Sequence, residues 1–288
     1  MQSEMNQTPL PKGHDLHLPA HGDSPVLFAA GHSGRYYPPD FLAQVRLNPL
    51  QIRASEDAYV DQLFGAAPAL GAKLLVARYP RAYLDLNRAA HDLDPALITD
   101  LPRRVAGLNL RVISGLGVIP RVVGPGKPIY SSKIPYAEAA ARLSHLWQPY
   151  HAALAGQMLA AQRQYGRAIL FDCHSMPSDA VGLGGPNIVL GDRHGRAADV
   201  ALRNQTIAAF RAQGFRVAVN HPFAGAYVTE TYGRPADGWH AIQIEVNRAL
   251  YLDEAQVVPH GGFAPLQARL TRVMAQLIGT DHARIAAE

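Results

Sequence analysis

The sequence predicts an α/β fold built on a largely parallel sheet covered on both faces. Two observations carry that expectation. Short, continuously apolar runs stop at glycine or at polar residues, the pattern of strands buried on both sides. Longer stretches with helical spacing lie between them, so strands alternate with helices. No internal repeat and no linker composition divides the chain, so residues 25–288 read as a single domain after a loose arm, residues 1–24.

The elements follow in order. Residues 26–30 are apolar and stop at Gly31, a buried strand. Ser55 has the character of a helix N-cap, with Glu56 and Asp57 in the first turn where the helix dipole favours acids. Residues 73–79 form a second strand, followed by an extended segment, 83–88. Residues 90–134 are irregular and rich in Pro and Gly, an insertion over one edge of the fold. Residues 135–165 read as one long helix or two, with Pro149 kinking or dividing them and Gly166 ending the stretch. Strands are expected at 167–173, 187–191, 215–220 and 241–246. Helices are expected at 197–213 and 264–286, with a Gly-rich loop at 221–238.

Composition narrows the function classes. Of 288 residues, 48% are hydrophobic and only 17% charged, which suits a packed core and excludes a disordered chain. The net charge is +4 without any run of five basic residues, so nucleic acid is not an expected partner, whereas a slightly positive field favours an anionic substrate. Cys173 is the single cysteine, in an apolar strand. That fits a buried structural thiol in a reducing cytoplasm. The polar, Pro-rich first 25 residues lack the apolar core of a signal peptide, and no membrane segment is expected.

Three segments present chemistry where strands give out, and in open α/β sheets sites gather at the carboxyl ends of strands. His32 sits in Gly31-His32-Ser33-Gly34, and His174 follows Asp172 and Cys173. Either histidine alone reads as readily as a loop residue; the pair at equivalent strand ends tips the reading toward a shared metal. Asp172 shares a strand face with His174, and either orients an imidazole by accepting its N–H or caps a turn. In 242–247, Ile242, Ile244 and Val246 alternate with Gln243, Glu245 and Asn247. That polar face is solvated at an edge or lines a cavity; the apolar neighbours favour the cavity, which makes Glu245 a candidate general base and acid. Arg81, Asn87 and Arg88 flank one strand end, either as a pocket for a dicarboxylate or as surface ion pairs.

Other patterns carry less. Residues 124–127 lack the spacing of a phosphate-binding loop, 182–185 open no helix, and Gly31-His32-Ser33-Gly34 is not a nucleophile elbow. His194, His221 and His240 read as loop residues or as groups that support a ligand.

Taken together, His32-Ser33-Gly34 with Pro38, Ser55-Glu56-Asp57 and the residues to Asp61, Arg78 through Arg88, Asp172-Cys173-His174-Ser175, and His240 through Glu245 resemble the N-formylglutamate amidohydrolase family over about residues 25–255. The resemblance implies a three-layer α/β/α fold with a mixed, mostly parallel sheet related to the zinc carboxypeptidase and aspartoacylase group. It implies one divalent metal, Zn2+, with His32 and His174 as ligands and Glu245 as the catalytic acid/base. It implies that Asn87 and Arg88 grip a substrate carboxylate, and Arg81 beside them is a further candidate for that pocket. Arg35 stands where the wider group has a ligand Glu, so the third ligand comes from elsewhere. Asp57 is the implied choice, with Glu56 as the alternative. After Tyr227 and Thr229, Glu230-Thr231 stands where formylglutamate enzymes tend to show Arg-His. The implied reaction is hydrolysis of N-formyl-L-glutamate, or a similar small anionic N-acyl amino acid, in amino-acid (histidine) catabolism in the cytoplasm. The rivals are a hydrolase of another N-acyl amino acid or short acidic peptide, and a non-catalytic carboxylate-binding relative.

Overall fold

The computed structural model describes residues 11–102, 109–124 and 126–285. Among them a seven-stranded mixed sheet forms the middle layer. Its strands are β1 (His14–His17), β2 (Val26–Ala30), β3 (Lys73–Ala77), β4 (Ala168–Met176), β5 (Ile188–Gly191), β6 (Val217–Val219) and β7 (Trp239–Asn247). The spatial order is β1-β3-β2-β4-β7-β5-β6. Strands β3, β2, β4 and β7 run parallel in the centre. At one edge β1 pairs antiparallel to β3; at the other, β5 pairs antiparallel to β7, with β6 parallel to β5.

Alternation along the central strands builds two cores. On one face Val26, Phe28, Ile169, Phe171, Cys173, Ile242, Ile244 and Val246 pack under helices α3 (Val200–Ala212) and α5 (Phe263–Ile285). The Phe28 and Phe171 rings stack 5.2 Å apart there. Cys173 is a buried free thiol, as its apolar surroundings suggest. On the other face Leu27, Ala29, Ala168, Leu170 and Ala241 pack under α1 (Tyr136–Arg142), α2 (Gln148–Tyr165) and α4 (Tyr227–Tyr232). Sheet and helices therefore make the expected three layers. Among the described residues, no helix is long and apolar enough to cross a membrane.

Several elements depart from the sequence reading. Residues 14–17, expected in a loose arm, form edge strand β1; residues 1–10 of that arm lie outside the described residues. Three of its four residues are polar, which suits an edge rather than a buried strand. Instead of a helix opening at Ser55, Gln51–Ser55 makes a tight 3₁₀ turn, Glu56 is extended, and only Val60–Leu63 is α-helical. The acids expected in a first helical turn are drawn into tertiary contacts, which override local propensity. Between α1 and α2 the chain makes a π-helical turn, Leu143–Trp147, immediately before Pro149. The wider turn accommodates a residue that lacks an N–H. His174 lies inside β4 rather than beyond its end.

Candidate functional site

The carboxyl ends of β2, β4 and β7 open into a cavity of about 840 Å³. Its polar wall is a continuation of the face that packs under α1, α2 and α4. On β4 that face runs Ala168, Leu170, Asp172, His174; on β7 it runs Trp239, Ala241, Gln243, Glu245. Register pairs Gln243 with Asp172 and Glu245 with His174. The apolar halves anchor the sheet, and the polar halves, placed side by side, line the cavity.

His32 enters from the turn after β2. Gly34 lets that turn lie against the chain following β3, since a Cβ there would sit 2.0 Å from the Tyr79 carbonyl oxygen. The Asp57 N–H donates to the His32 carbonyl at 3.1 Å, bringing the 56–57 segment alongside. The imidazoles of His32 and His174 stand 4.7 Å apart, centroid to centroid. Asp57 Oδ2 lies 2.8 Å from His174 Nδ1 and 3.4 Å from His32 Nδ1.

The outer nitrogens each face an acid. His32 Nε2 is 2.8 Å from Asp85 Oδ1, and His174 Nε2 is 2.9 Å from Asp172 Oδ2. A carboxylate only accepts, so each Nε2 donates to its acid; His174 Nδ1 likewise donates to Asp57 Oδ2, and a bound cation would take the place of that hydrogen. His32 Nδ1 is buried and has no hydrogen-bond partner among the described residues. An orphaned imidazole lone pair, a second imidazole and a carboxylate oxygen, all within 4.8 Å of one another, form a set that can hold a metal ion. Two histidines and one carboxylate, each histidine backed by an acid, suit a catalytic ion that keeps one position open. Glu56, the alternative to Asp57, turns away: its Oε1 accepts from Tyr37 at 2.6 Å and from Arg53 at 3.1 Å.

The electrostatics follow from this packing. Burial pushes the Asp57 carboxyl up, but the hydrogen bond from His174 and the electrostatic pull of both imidazoles outweigh it and hold it well below the usual range. Burial likewise raises Asp85, and Arg81, Arg88 and His32 more than reverse that. For His174 burial opposes the charged form, and Asp172 and Asp57 overcome it, raising the pKa well above the ordinary value. A site this rich in negative charge favours a cation. Glu245 behaves differently. Burial pushes it up to about 7 despite the pull of His174. Its Oε1 accepts from Gln243 Nε2 at 2.8 Å.

The other expected residues line the same cavity, with their hydrogen bonds partly committed. Arg81 Nε donates to Asp85 Oδ2 at 3.0 Å. Asn87 Oδ1 accepts from the Val228 N–H at 2.8 Å, and its Nδ2 donates to Asp172 Oδ2 at 3.3 Å. Arg88 donates from Nε to the Leu116 carbonyl and from Nη1 to the Asn87 carbonyl; its Nη2 makes no hydrogen bond among the described residues. None of His194, His221 and His240 joins the His32–Asp57–His174 group. Sequence reasoning missed Arg248. Its Nη2 donates to Asp57 Oδ1 at 3.0 Å and its Nε to Ser175 Oγ at 3.1 Å. The only signal was its place just past the strand that carries Glu245.

Comparison with known proteins agrees with this construction. A family model described as N-formylglutamate amidohydrolase matches residues 24–252. The chain is 30% identical over 240 residues to the N-formylglutamate deformylase of Pseudomonas aeruginosa, covering 81% of this chain and 84% of that protein. It is 30% identical over 242 residues to the Pseudomonas putida N-formylglutamate deformylase, covering 82% and 84%. The crystal structure of N-formylglutamate amidohydrolase from Ralstonia eutropha superimposes with a TM-score of 0.90 at 32% identity, over 95% of this chain and 100% of that one. With the fold, the cavity and the sequence all in accord, the chain belongs to the N-formylglutamate amidohydrolase family.

Proposed function

We propose that this protein hydrolyses the amide of N-formyl-L-glutamate, or of a closely similar N-acyl amino acid, to formate (or the corresponding acid) and free amino acid. In this reading His32, Asp57 and His174 hold one divalent ion, Zn2+. The observation that carries it is the convergence of two carboxylate-backed imidazoles on Asp57 Oδ2, with His32 Nδ1 left without a hydrogen-bond partner among the described residues. When bound, the ion supplies a Lewis acid that acidifies a water molecule and draws charge from the formyl oxygen.

The chain's own groups do the rest. Glu245, with a pKa raised by burial to about 7, takes a proton from the attacking water and returns it to the leaving amine nitrogen. Arg88, supported by Arg81, binds the substrate carboxylate and sets the amide against the ligand cluster. Asn87 contributes by holding Asp172, and through it His174, in place. Arg81, Arg88 and Arg111 in the cavity lining suit a small anionic substrate, and a cytoplasmic setting in amino-acid catabolism belongs to the same reading.

Formate release from N-formyl-L-glutamate tests this directly. The zinc-loaded protein should turn the substrate over, lose activity on chelation and regain it with added zinc. A zinc-loaded protein that binds the substrate without releasing formate would leave only a carboxylate-binding relative.

A further inference from the structure

Resting on that reading, we propose that Arg193 binds the second carboxylate of a dicarboxylate N-acyl amino acid, and that Glu230 is the internal counter-ion this carboxylate displaces. A second cavity of about 720 Å³ adjoins the first; Asn87, Arg88, Arg111, Gly225 and Ala226 line both. Arg88 and Arg111 therefore stand at the junction, and Arg193 stands beyond it in the second lobe. Two acids face this lobe. Asp92 already accepts from Asn109 Nδ2 at 2.7 Å, and Glu230 Oε1 lies 2.7 Å from Arg193 Nη2.

The lobe is tied mechanically to the metal-ligand cluster. The Arg193 N–H donates to the Ala224 carbonyl at 2.7 Å, fixing its base on the loop that closes the first cavity. Gly225 in that loop has φ +109°, and a Cβ there would lie 2.4 Å from Thr229 Oγ1 and 3.2 Å from Arg193 Cγ. Glycine is what lets loop, Arg193 and α4 come together. Helix α4, which carries Glu230, is anchored by the Val228 N–H to Asn87 Oδ1, one bond away from the partners of His174.

The Arg193–Glu230 pair is poorly protected: the side chains are 29% and 60% exposed. A solvent-exposed pair of this kind contributes little to stability. A substrate already held by its first carboxylate presents its second at high local concentration. Exchanging one carboxylate for another on the same guanidinium costs little, and Glu230 is free to swing into solvent. This places a cation for the substrate side chain, although residue 230 itself is an acid.

Steady-state kinetics on N-formyl-L-glutamate and its neutral isostere N-formyl-L-glutamine test the assignment. Arg193→Gln should cut kcat/KM for the glutamate substrate about 10- to 100-fold, through KM, and leave the glutamine substrate within about 2-fold. Arg193→Lys should restore part of the preference, and Glu230→Gln should lower KM for the dicarboxylate alone. An Arg193→Gln protein with an unchanged preference between the two substrates overturns the role of Arg193 while leaving the deformylase reading intact. A zinc-loaded parent that hydrolyses neither substrate overturns both.

Discussion

The two faces of strand β4 are built from one run of residues and do different work. Ile169, Phe171 and Cys173 stay apolar to the end and are sealed under α3 and α5. Leu170 on the opposite face gives way to Asp172 and His174, which are just as buried. Burying those groups is costly unless each finds a partner. Here Asp85, His32, Asp57, His174 and Asp172 lie within hydrogen-bond or ion-pair reach of one another in sequence, and only His32 Nδ1 is left over. The comparison teaches that stability and chemistry are divided by face and by height along the strand rather than by segment.

The largest expected effect lies on the polar face. Glu245→Gln should lower kcat by about 10²- to 10⁴-fold. Denaturant midpoints should not fall, because the change removes a carboxyl that burial already disfavours. Across the sheet, Phe171→Ala should invert that pattern. It should destabilise the fold by about 3–5 kcal/mol in urea melts, with kcat of the folded protein unchanged. If Phe171→Ala instead abolished turnover in fully folded protein, the division between faces would fail.

A subtler effect is expected at Arg248, which meets Asp57 at Oδ1, the oxygen turned away from the histidines. Arg248→Gln should weaken zinc binding to the apo protein about 10- to 100-fold by calorimetry, while the fold persists. Unchanged zinc affinity would remove Arg248 from the support of the ligand cluster. The smallest effect sharpens the comparison, because it concerns a polar residue that serves structure on the functional face. His151 Nε2 donates to the Leu86 carbonyl at 2.9 Å, and Nδ1 faces Tyr232 Oη at 3.0 Å. Burial lowers its pKa to about 4, against the partial opposition of the Leu86 bond. Above the unfolded value both states are neutral. As pH falls from there toward 4, only the unfolded chain takes up the proton, so stability is lost. Between pH 7 and pH 5 this group should account for about 2 kcal/mol of the decline. The His151→Gln protein should show a correspondingly shallower pH dependence in urea melts, and an equal slope would refute the assignment.

Much of this was legible in the sequence because the signals are local. Apolar runs marked six of the seven sheet strands, and the alternation from Ile242 to Asn247 marked a polar face that needed a cavity. The direction of β5 was not legible. Its residues are apolar on both faces, so side-chain pattern says nothing about which way it runs. Strand β1 was missed because an edge strand needs no apolar run. His32 and His174 could be paired from their strand-end positions, whereas Asp57 was implied by resemblance, and local propensity placed it in a helix. Its true environment is set by distant residues. Arg248, which orients it, is 191 positions away, and only the folded sheet brings the two together.

The central claim is that His32, Asp57 and His174 share one ion. Calorimetric titration of the metal-stripped chain with Zn2+ tests it most directly. One tight site per chain should be seen, lost in both His32→Ala and His174→Ala and kept in Glu245→Gln. Stoichiometric tight binding that survived both histidine substitutions would place the metal elsewhere and contradict the account.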